Sequence, residues 1–158
     1  MSERPAVAYT SLWLAEGVPE RLFLQWREQR PRYLSLFAGD VVKLDLHEGS
    51  LEMSFSVGPE WGHAMGLQGG IVASMLDSAM AQCVILCSGF AYSPPTLELK
   101  VSYLEPAPPG AFRARGDIAH RGASVVFLRG ELTDGRGMLV ATATATSRLV
   151  VRKMGVEL

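Results

Sequence analysis

The chain has 158 residues, a length that suits one domain with its own hydrophobic core. A formal net charge of -1 and a pI near 6.3, with basic residues scattered along the sequence, give no electrostatic signal for nucleic acid or an anionic membrane. The N-terminus lacks a basic segment followed by an apolar one, so we predict no signal peptide and expect a cytoplasmic location.

A short amphipathic helix is the first predicted element, over residues 19–30. Its apolar side chains Leu22, Phe23 and Trp26 fall on one side, which indicates packing against the edge of a larger domain. A proline follows and ends the helix. We therefore expect residues 1–35 to form an N-terminal helical extension.

A predicted hairpin comes next and leads into the most apolar stretch of the chain. Apolar and polar residues alternate over 42–46 and 51–57, which predicts two strands with one buried face. The stretch from Ile71 to Cys87 then predicts a long helix that ends before Gly89. Its polar side chains are few: Ser74, Asp77, Ser78 and Gln82. Because apolar residues fall on all sides, we expect protein to enclose this helix.

Two further properties of the apolar helix bear on its surroundings. Its length approaches that of a membrane span, but its polar side chains and the amphipathic strands on both sides argue against one. The cysteines Cys83 and Cys87 lie four residues apart on it. We expect reduced thiols that pack as small apolar groups, since a bridge there would distort the helix.

Four strands are predicted after the helix, and short turns separate the last three. They cover residues 96–103, 112–119, 124–133 and 138–151. In the first of them, simple alternation places Thr96 on the face opposite to Leu97, Leu99, Val101 and Tyr103. Short connections favour a mostly antiparallel sheet. One sheet can bury such a helix only if it curls around it or a second subunit covers the rest.

The helix entry and the following strand resemble the phenylacetic-acid-degradation type of hotdog-fold acyl-CoA thioesterase. That family enters its helix through Asn-x-x-Gly-x-x-His-Gly-Gly and carries an Asp or Glu nine residues after the His. Here Gln68-Gly69-Gly70 stands at the His-Gly-Gly place, and Asp77 lies nine residues after Gln68. The next family element, a Thr or Ser opening a strand that ends in Tyr-Leu-x-Pro-Ala, matches Thr96 and Tyr103-Leu104-Glu105-Pro106-Ala107.

The resemblance implies an α+β hotdog fold over residues 36–158, with a curled antiparallel sheet of five to six strands around one long central helix. It implies an acyl-CoA substrate, no cofactor beyond the coenzyme A of the substrate, no metal, and a homodimer that pairs into a dimer of dimers. Two departures leave the carbonyl-polarising side chain open. Gln68 replaces the usual His, and the spacing before it is one residue short, so that either His63 or Gln68 could take this role.

The chemistry of thioester hydrolysis suits the start of this helix and its single acid. The first N–H groups of a helix are unpaired and carry partial positive charge, and glycines at Gly69 and Gly70 let a carbonyl oxygen approach them. Asp77 can act as a general base toward water or attack directly. Apolar surroundings favour its neutral form, whereas a hydroxyl such as Ser78 or Thr96 favours the carboxylate. We expect Thr96 to lie near the acid and orient the attacking water.

Distance then predicts a dimer. Gly69 and Asp77 are eight residues apart, roughly 12 Å along a helix. Both groups must approach one reacting centre to about 3 Å. We therefore predict that Gly69 of one subunit faces Asp77 of a partner across a two-fold axis, with two sites in each dimer.

The remaining predicted contacts concern the substrate. Arg121, beside Gly122, is the first candidate for binding the nucleotide phosphates of acyl-CoA, and Arg152 is a weaker one. His63, Gly70 and Ser78 complete the predicted substrate-binding set. Two other functions stay open. One is a non-catalytic acyl-CoA or lipid-binding protein of the same fold, and the other is a hotdog enoyl-CoA hydratase, although no His follows the acid within the helix.

Overall fold

The computed structural model describes residues 20–153, so the first part of the predicted extension and the last five residues of the predicted domain lie outside the described residues. The described part contains two α-helices, α1 (Glu20–Gln29) and α2 (Gly69–Cys87), and 3₁₀ turns at Arg32–Phe37 and Pro59–Trp61. Its strands are β1 (Asp40–Asp45), β2 (Ser50–Val57), β3 (Gly62–His63), β4 (Gly66–Leu67), β5 (Tyr92–Ser93), β6 (Thr96–Tyr103), β7 (Gly110–Arg121), β8 (Val125–Asp134), β9 (Leu139–Arg148) and β10 (Val150–Val151).

Six strands form one antiparallel sheet in the order β1-β2-β7-β8-β9-β6. Helix α2 contacts all six, so the sheet curls around it. The close contact between α2 and the sheet depends on Gly116 of β7, where a Cβ atom would lie 2.6 Å from the carbonyl oxygen of Ala79 on the helix. This is the predicted hotdog fold, with β1 and β6 as the two edge strands of the sheet.

Helix α1 and the turn after it cover a second side of α2. The side chains of Leu22, Phe23 and Trp26 are buried, and the indole N–H of Trp26 donates to Gln82 Oε1 at 2.9 Å. A buried amide thus finds a partner and ties α1 to the central helix. The first helix belongs to the same hydrophobic core as the sheet.

A third side of α2 is only partly covered within one protomer. Ala73, Asp77 and Ala81, spaced by four residues, are half-buried, so enclosure of this strip would need the second subunit that the sequence also allows. Of the helices within residues 20–153, α2 is the one that is long and apolar enough to cross a membrane, by length and composition. The protein buries 56% of the most apolar 18-residue stretch of this helix. Cys83 and Cys87 are free thiols, with their sulfur atoms 3.9 Å apart.

The later strands differ from the predicted ones at their ends. Strand β7 continues to Arg121, so the predicted turn at 120–122 begins later than expected. The final predicted strand is interrupted after Arg148, and its last piece, β10, pairs with β5, which the sequence did not reveal. The pairing of β5 with β10 thus joins the segment after α2 to the last described residues of the chain, next to the start of β6.

Candidate active site

The entry to α2 presents one open backbone donor. Gln68 caps the helix, since its Oε1 accepts the Gly70 N–H at 2.6 Å. The Gly70 N–H is therefore occupied, while the Gly69 N–H has no acceptor among residues 20–153. Because the Gln68 oxygen faces the helix, its NH₂ group is left as a second donor at the same end.

Tyr103 fixes this entry against the end of β6. Its hydroxyl donates to the Gly69 carbonyl oxygen at 2.8 Å. A Cβ atom at Gly69 would lie 3.2 Å from the Tyr103 Cζ and Oη atoms, so the absence of a side chain permits the close approach. The helix start and the strand end are held together by this contact.

His63, the other predicted carbonyl-polarising residue, lies on the β3–β4 hairpin that leads into α2. Its Nδ1 accepts the Met65 N–H at 3.2 Å, so the proton of the neutral ring is on Nε2. The hairpin is anchored by the Gln68 N–H, which donates to the Trp61 carbonyl at 3.0 Å. His63 is exposed beside the helix entry. The choice between His63 and Gln68 therefore stays open.

The acid of α2 has one hydroxyl partner. Thr96 Oγ1 donates to Asp77 Oδ1 at 2.8 Å, and this is the only hydrogen bond of the carboxylate within the described residues. The second predicted hydroxyl points elsewhere, because Ser78 donates to the Ser74 carbonyl at 2.6 Å and lies 3.2 Å from Tyr33 Oη. Thr96, and not Ser78, contacts the acid and leaves Asp77 Oδ2 open.

A β-bulge places Thr96 on the helix side of the sheet. Between Thr96 and Glu98 the strand β6 contains one more residue than β9, and Leu97 is the extra one. Thr96 therefore pairs with Ser147 and Tyr103 with Ala141, two β9 residues that are buried against the helix. The predicted alternation, with Thr96 opposite to Tyr103, is wrong because a single inserted residue reverses the face.

A second bulge turns Arg121 to the same side. It lies between Ile118 and His120, and Arg121 then pairs with the buried Val126. The Arg121 guanidinium stands 5.1 Å from the centre of the Tyr92 ring.

The two arginine candidates share one neighbourhood. The guanidinium of Arg152 lies 5.4 Å from the Phe90 ring, and the Arg152 backbone N–H donates to the Ala91 carbonyl. Both aromatic rings belong to the segment between α2 and β6 that leads to Thr96. Gly122 forms the turn after Arg121, where its N–H donates to the Val125 carbonyl at 2.8 Å and is not free to bind a ligand.

Within one protomer the predicted site is divided in two. Thr96, Asp77 and the arginines lie toward the first end of β6, whereas Gly69, Gln68 and His63 lie toward its last end. The axial separation of Gly69 and Asp77, roughly 12 Å on one helix, prevents both from reaching one atom. No group of three or more His, Cys, Asp or Glu side chains that could hold a metal ion occurs among residues 20–153.

Sequence reasoning missed the contact made by Tyr103. The alternation of β6 places Tyr103 with the apolar residues of one face, yet its side chain is exposed in the protomer and its hydroxyl bonds to the helix entry. The family-like segment Tyr103-Leu104-Glu105-Pro106-Ala107 was the available signal, since it marks the end of β6. Nothing in the sequence shows that this end meets Gly69.

Comparison with known proteins gives consistent similarities. The sequence model of the Thioesterase superfamily matches residues 67–141. A "putative esterase" of Saccharolobus solfataricus is 30% identical over 105 residues, which cover 66% of this chain and 74% of that protein.

Two solved structures extend the similarity to three dimensions. A "putative thioesterase, phenylacetic acid degradation-related protein" from Ralstonia eutropha JMP134 shares 34% identity with a TM-score of 0.73, over 80% of this chain and 98% of that one. The PaaI protein from the phenylacetic acid degradation operon of E. coli superposes with a TM-score of 0.72 over 84% of this chain and 96% of that one. Its 16% identity supports the fold alone.

Proposed function

The chain belongs to the thioesterase superfamily, and on that premise we propose that it hydrolyses an acyl-CoA thioester to the free acid and CoA in a homodimer. Each site would combine Gly69 of one subunit with Asp77 of the partner subunit. The proposal rests on one observation. The two ends of the edge strand β6 contact different halves of the chemistry, Thr96 bonding to the acid and Tyr103 to the glycine.

Pairing of two β6 strands would unite these halves. Strand β6 is hydrogen-bonded to β9 on one side only and is largely exposed, so its other edge is open for pairing. If two copies pair antiparallel about a two-fold axis, the Thr96 end of one strand lies beside the Tyr103 end of the other. The partner's Asp77 then lies beside Gly69, and the symmetry produces two such sites.

The groups at such a site suit thioester hydrolysis without further reagents. The thioester oxygen accepts the Gly69 N–H, and the Gln68 NH₂ or the His63 Nε2–H is placed as a second donor. Thr96 holds Asp77 Oδ1, which leaves Oδ2 to take a proton from water as the water oxygen bonds to the thioester carbon. The C–S bond breaks, and the proton passes to the CoA thiolate. Direct attack by Asp77 would instead form a mixed anhydride that water then cleaves.

The test is CoA release from a panel of acyl-CoA thioesters by the purified chain. We expect turnover, and we expect Asp77→Asn to lower kcat by about 10²–10⁴-fold because the amide cannot accept the proton. Asp117→Asn is the matched control, since Asp117 is also a half-buried aspartate but is paired with Arg115. A single turnover in ¹⁸O-water tests for the anhydride route, because ¹⁸O enters Asp77 only when water cleaves an anhydride at the Asp77 carbonyl carbon.

The other candidate functions give different results in the same assay. Saturable acyl-CoA binding without CoA release by either protein would replace the proposal with a non-catalytic acyl-CoA-binding protein. Hydration of an enoyl-CoA without loss of CoA would replace it with a hydratase. Equal turnover by the native chain and Asp77→Asn would leave a thioesterase whose acid is wrongly assigned.

A further inference from the structure

An apolar groove of about 330 Å³ opens beside the entry to α2. One wall is the β3–β4 hairpin with Met65 and Leu67, and the other is the end of β6 with Tyr103 and Leu104. Val72 of α2 contributes to its floor. At the rim, Met65, Tyr103 and Leu104 are between 51% and 71% exposed. Tyr103 and Leu104 stand at the end of β6, whose open edge pairs in the proposed dimer, so this exposed apolar surface adjoins the proposed partner subunit.

The walls of this groove are fixed by backbone contacts. The Leu67 N–H donates to the Ala107 carbonyl at 2.7 Å, and the Leu104 N–H donates to the Val140 carbonyl at 2.9 Å. Gly66 has a φ of +125°, and a Cβ there would lie 2.7 Å from the Ala107 oxygen, so only glycine permits this docking of the hairpin. The groove is therefore formed before a ligand enters it.

The groove adjoins Gly69, the residue with the open donor, through a shared side chain. The same Tyr103 side chain lines the groove and donates to the Gly69 carbonyl oxygen at 2.8 Å. Leu67 and Val72 flank Gly69 in sequence, two residues before it and three after it. A thioester whose oxygen accepted the Gly69 N–H would therefore have the groove within reach of its acyl chain.

From this adjacency, and on the basis of the proposed thioesterase function, we infer that the groove binds the acyl chain and selects uncharged, apolar acyl groups. Glu105 is the one charged side chain that lines it. A carboxylate at the end of a dicarboxylic acyl group would meet this like charge and lose its hydration. A methyl or methylene group has no charge to be repelled there, and its transfer out of water is favourable.

The experiment measures kcat/KM for acetyl-, butyryl-, hexanoyl- and succinyl-CoA. We expect about a fourfold rise for each added methylene while the groove is filling, as burial of one methylene predicts. Succinyl-CoA should react at least tenfold more slowly than butyryl-CoA, which has an acyl chain of equal carbon number but no terminal carboxylate.

Two lining variants test the groove itself. Leu104→Lys and Met65→Lys place a charge at a rim position that is already exposed, so the fold of the protomer should tolerate either. Because Leu104 follows the β6 edge that pairs in the proposed dimer, its variant is compared only after it is shown to be a dimer. Each should lower kcat/KM for hexanoyl-CoA about tenfold and change that for acetyl-CoA by less than twofold. Leu24→Lys is the control, since Leu24 is 53% exposed on α1, a helix that contributes no residue to the groove.

The outcomes separate the inference from the function on which it depends. A flat chain-length profile, equal rates with succinyl-CoA, or hexanoyl-CoA turnover unaffected by both lysine variants would overturn the inference and leave the thioesterase intact. Failure of the native chain to release CoA from any of these thioesters would overturn the proposed function, and the inference with it.

Discussion

The two ends of β6 differ in chemistry although they belong to one eight-residue strand. The Thr96 end is charged, with the Asp77 carboxylate and with the Arg121 and Arg152 guanidinium groups, which stand against the aromatic rings of the segment just before Thr96. The Tyr103 end carries uncharged donors and the apolar groove. An acyl-CoA has the same division, with phosphates at one end, an apolar chain at the other and the thioester between them.

In the proposed dimer, this difference would divide one reaction between two subunits. The charged end offers the acid and the phosphate-binding candidates, and the uncharged end offers the oxyanion donor and the acyl site. Neither end suffices alone, since the acid and the donor stand roughly 12 Å apart on one helix. An antiparallel pairing of two edge strands brings unlike ends together. Variants confined to one end should therefore have distinct kinetic effects.

The largest effect at the uncharged end is expected when Gly69→Pro is compared with Gly69→Ala. Both variants add a Cβ against Tyr103, but only proline removes the N–H. Proline is tolerated at the first helical position, and the Gln68 backbone (φ -62°, ψ 136°) already suits a following proline. We expect kcat of Gly69→Pro to be about 10²–10³-fold below that of Gly69→Ala, as loss of an oxyanion donor predicts.

Steady-state CoA release and the thermal midpoint of each variant provide the measurement. Equal kcat values for two equally stable variants would show that the Gly69 N–H does not touch the reacting oxygen. A much lower thermal midpoint for Gly69→Pro alone would assign the loss to folding, and Gln68→Ala would then test the neighbouring donor.

A mixed dimer sharpens the comparison further. Asp77→Asn and Gly69→Pro chains, co-expressed with different tags, should form mixed dimers that contain one intact site and one doubly defective site. We expect such a dimer to show about half of the native activity per dimer, although each parent is nearly inactive. Activity no higher than the mean of the parents would place both groups of a site in one protomer, and failure to form mixed dimers would contradict the two-fold pairing.

The sequence predicted the fold well because hydrophobic alternation and the long apolar helix are local signals. It also predicted that Thr96 lies near Asp77, and the two side chains are hydrogen-bonded; the catalytic roles of Asp77 and Gly69 stay predictions. It could not predict which face Thr96 and Arg121 occupy, since each follows from one inserted residue whose position depends on pairing with a neighbouring strand. The contact of Tyr103 with Gly69 joins residues 34 positions apart and has no local signal.

The smallest of these effects is expected at the charged end, from Arg121→Ala. Arg121 stands on the helix side of the sheet, beside Tyr92. Arg113 lies on the same strand but is exposed, and the residues before and after it are buried, so its side chain is on the outer face of the sheet. If Arg121 binds a CoA phosphate, its loss should raise KM about tenfold and leave kcat unchanged, because the contact is equal in ground and transition states. If the 3′-phosphate is the group that Arg121 binds, the rise in KM should be smaller with 3′-dephospho-CoA thioesters than with CoA thioesters. Arg113→Ala should alter neither constant, and an Arg121→Ala enzyme with native KM would remove this arginine from the substrate site.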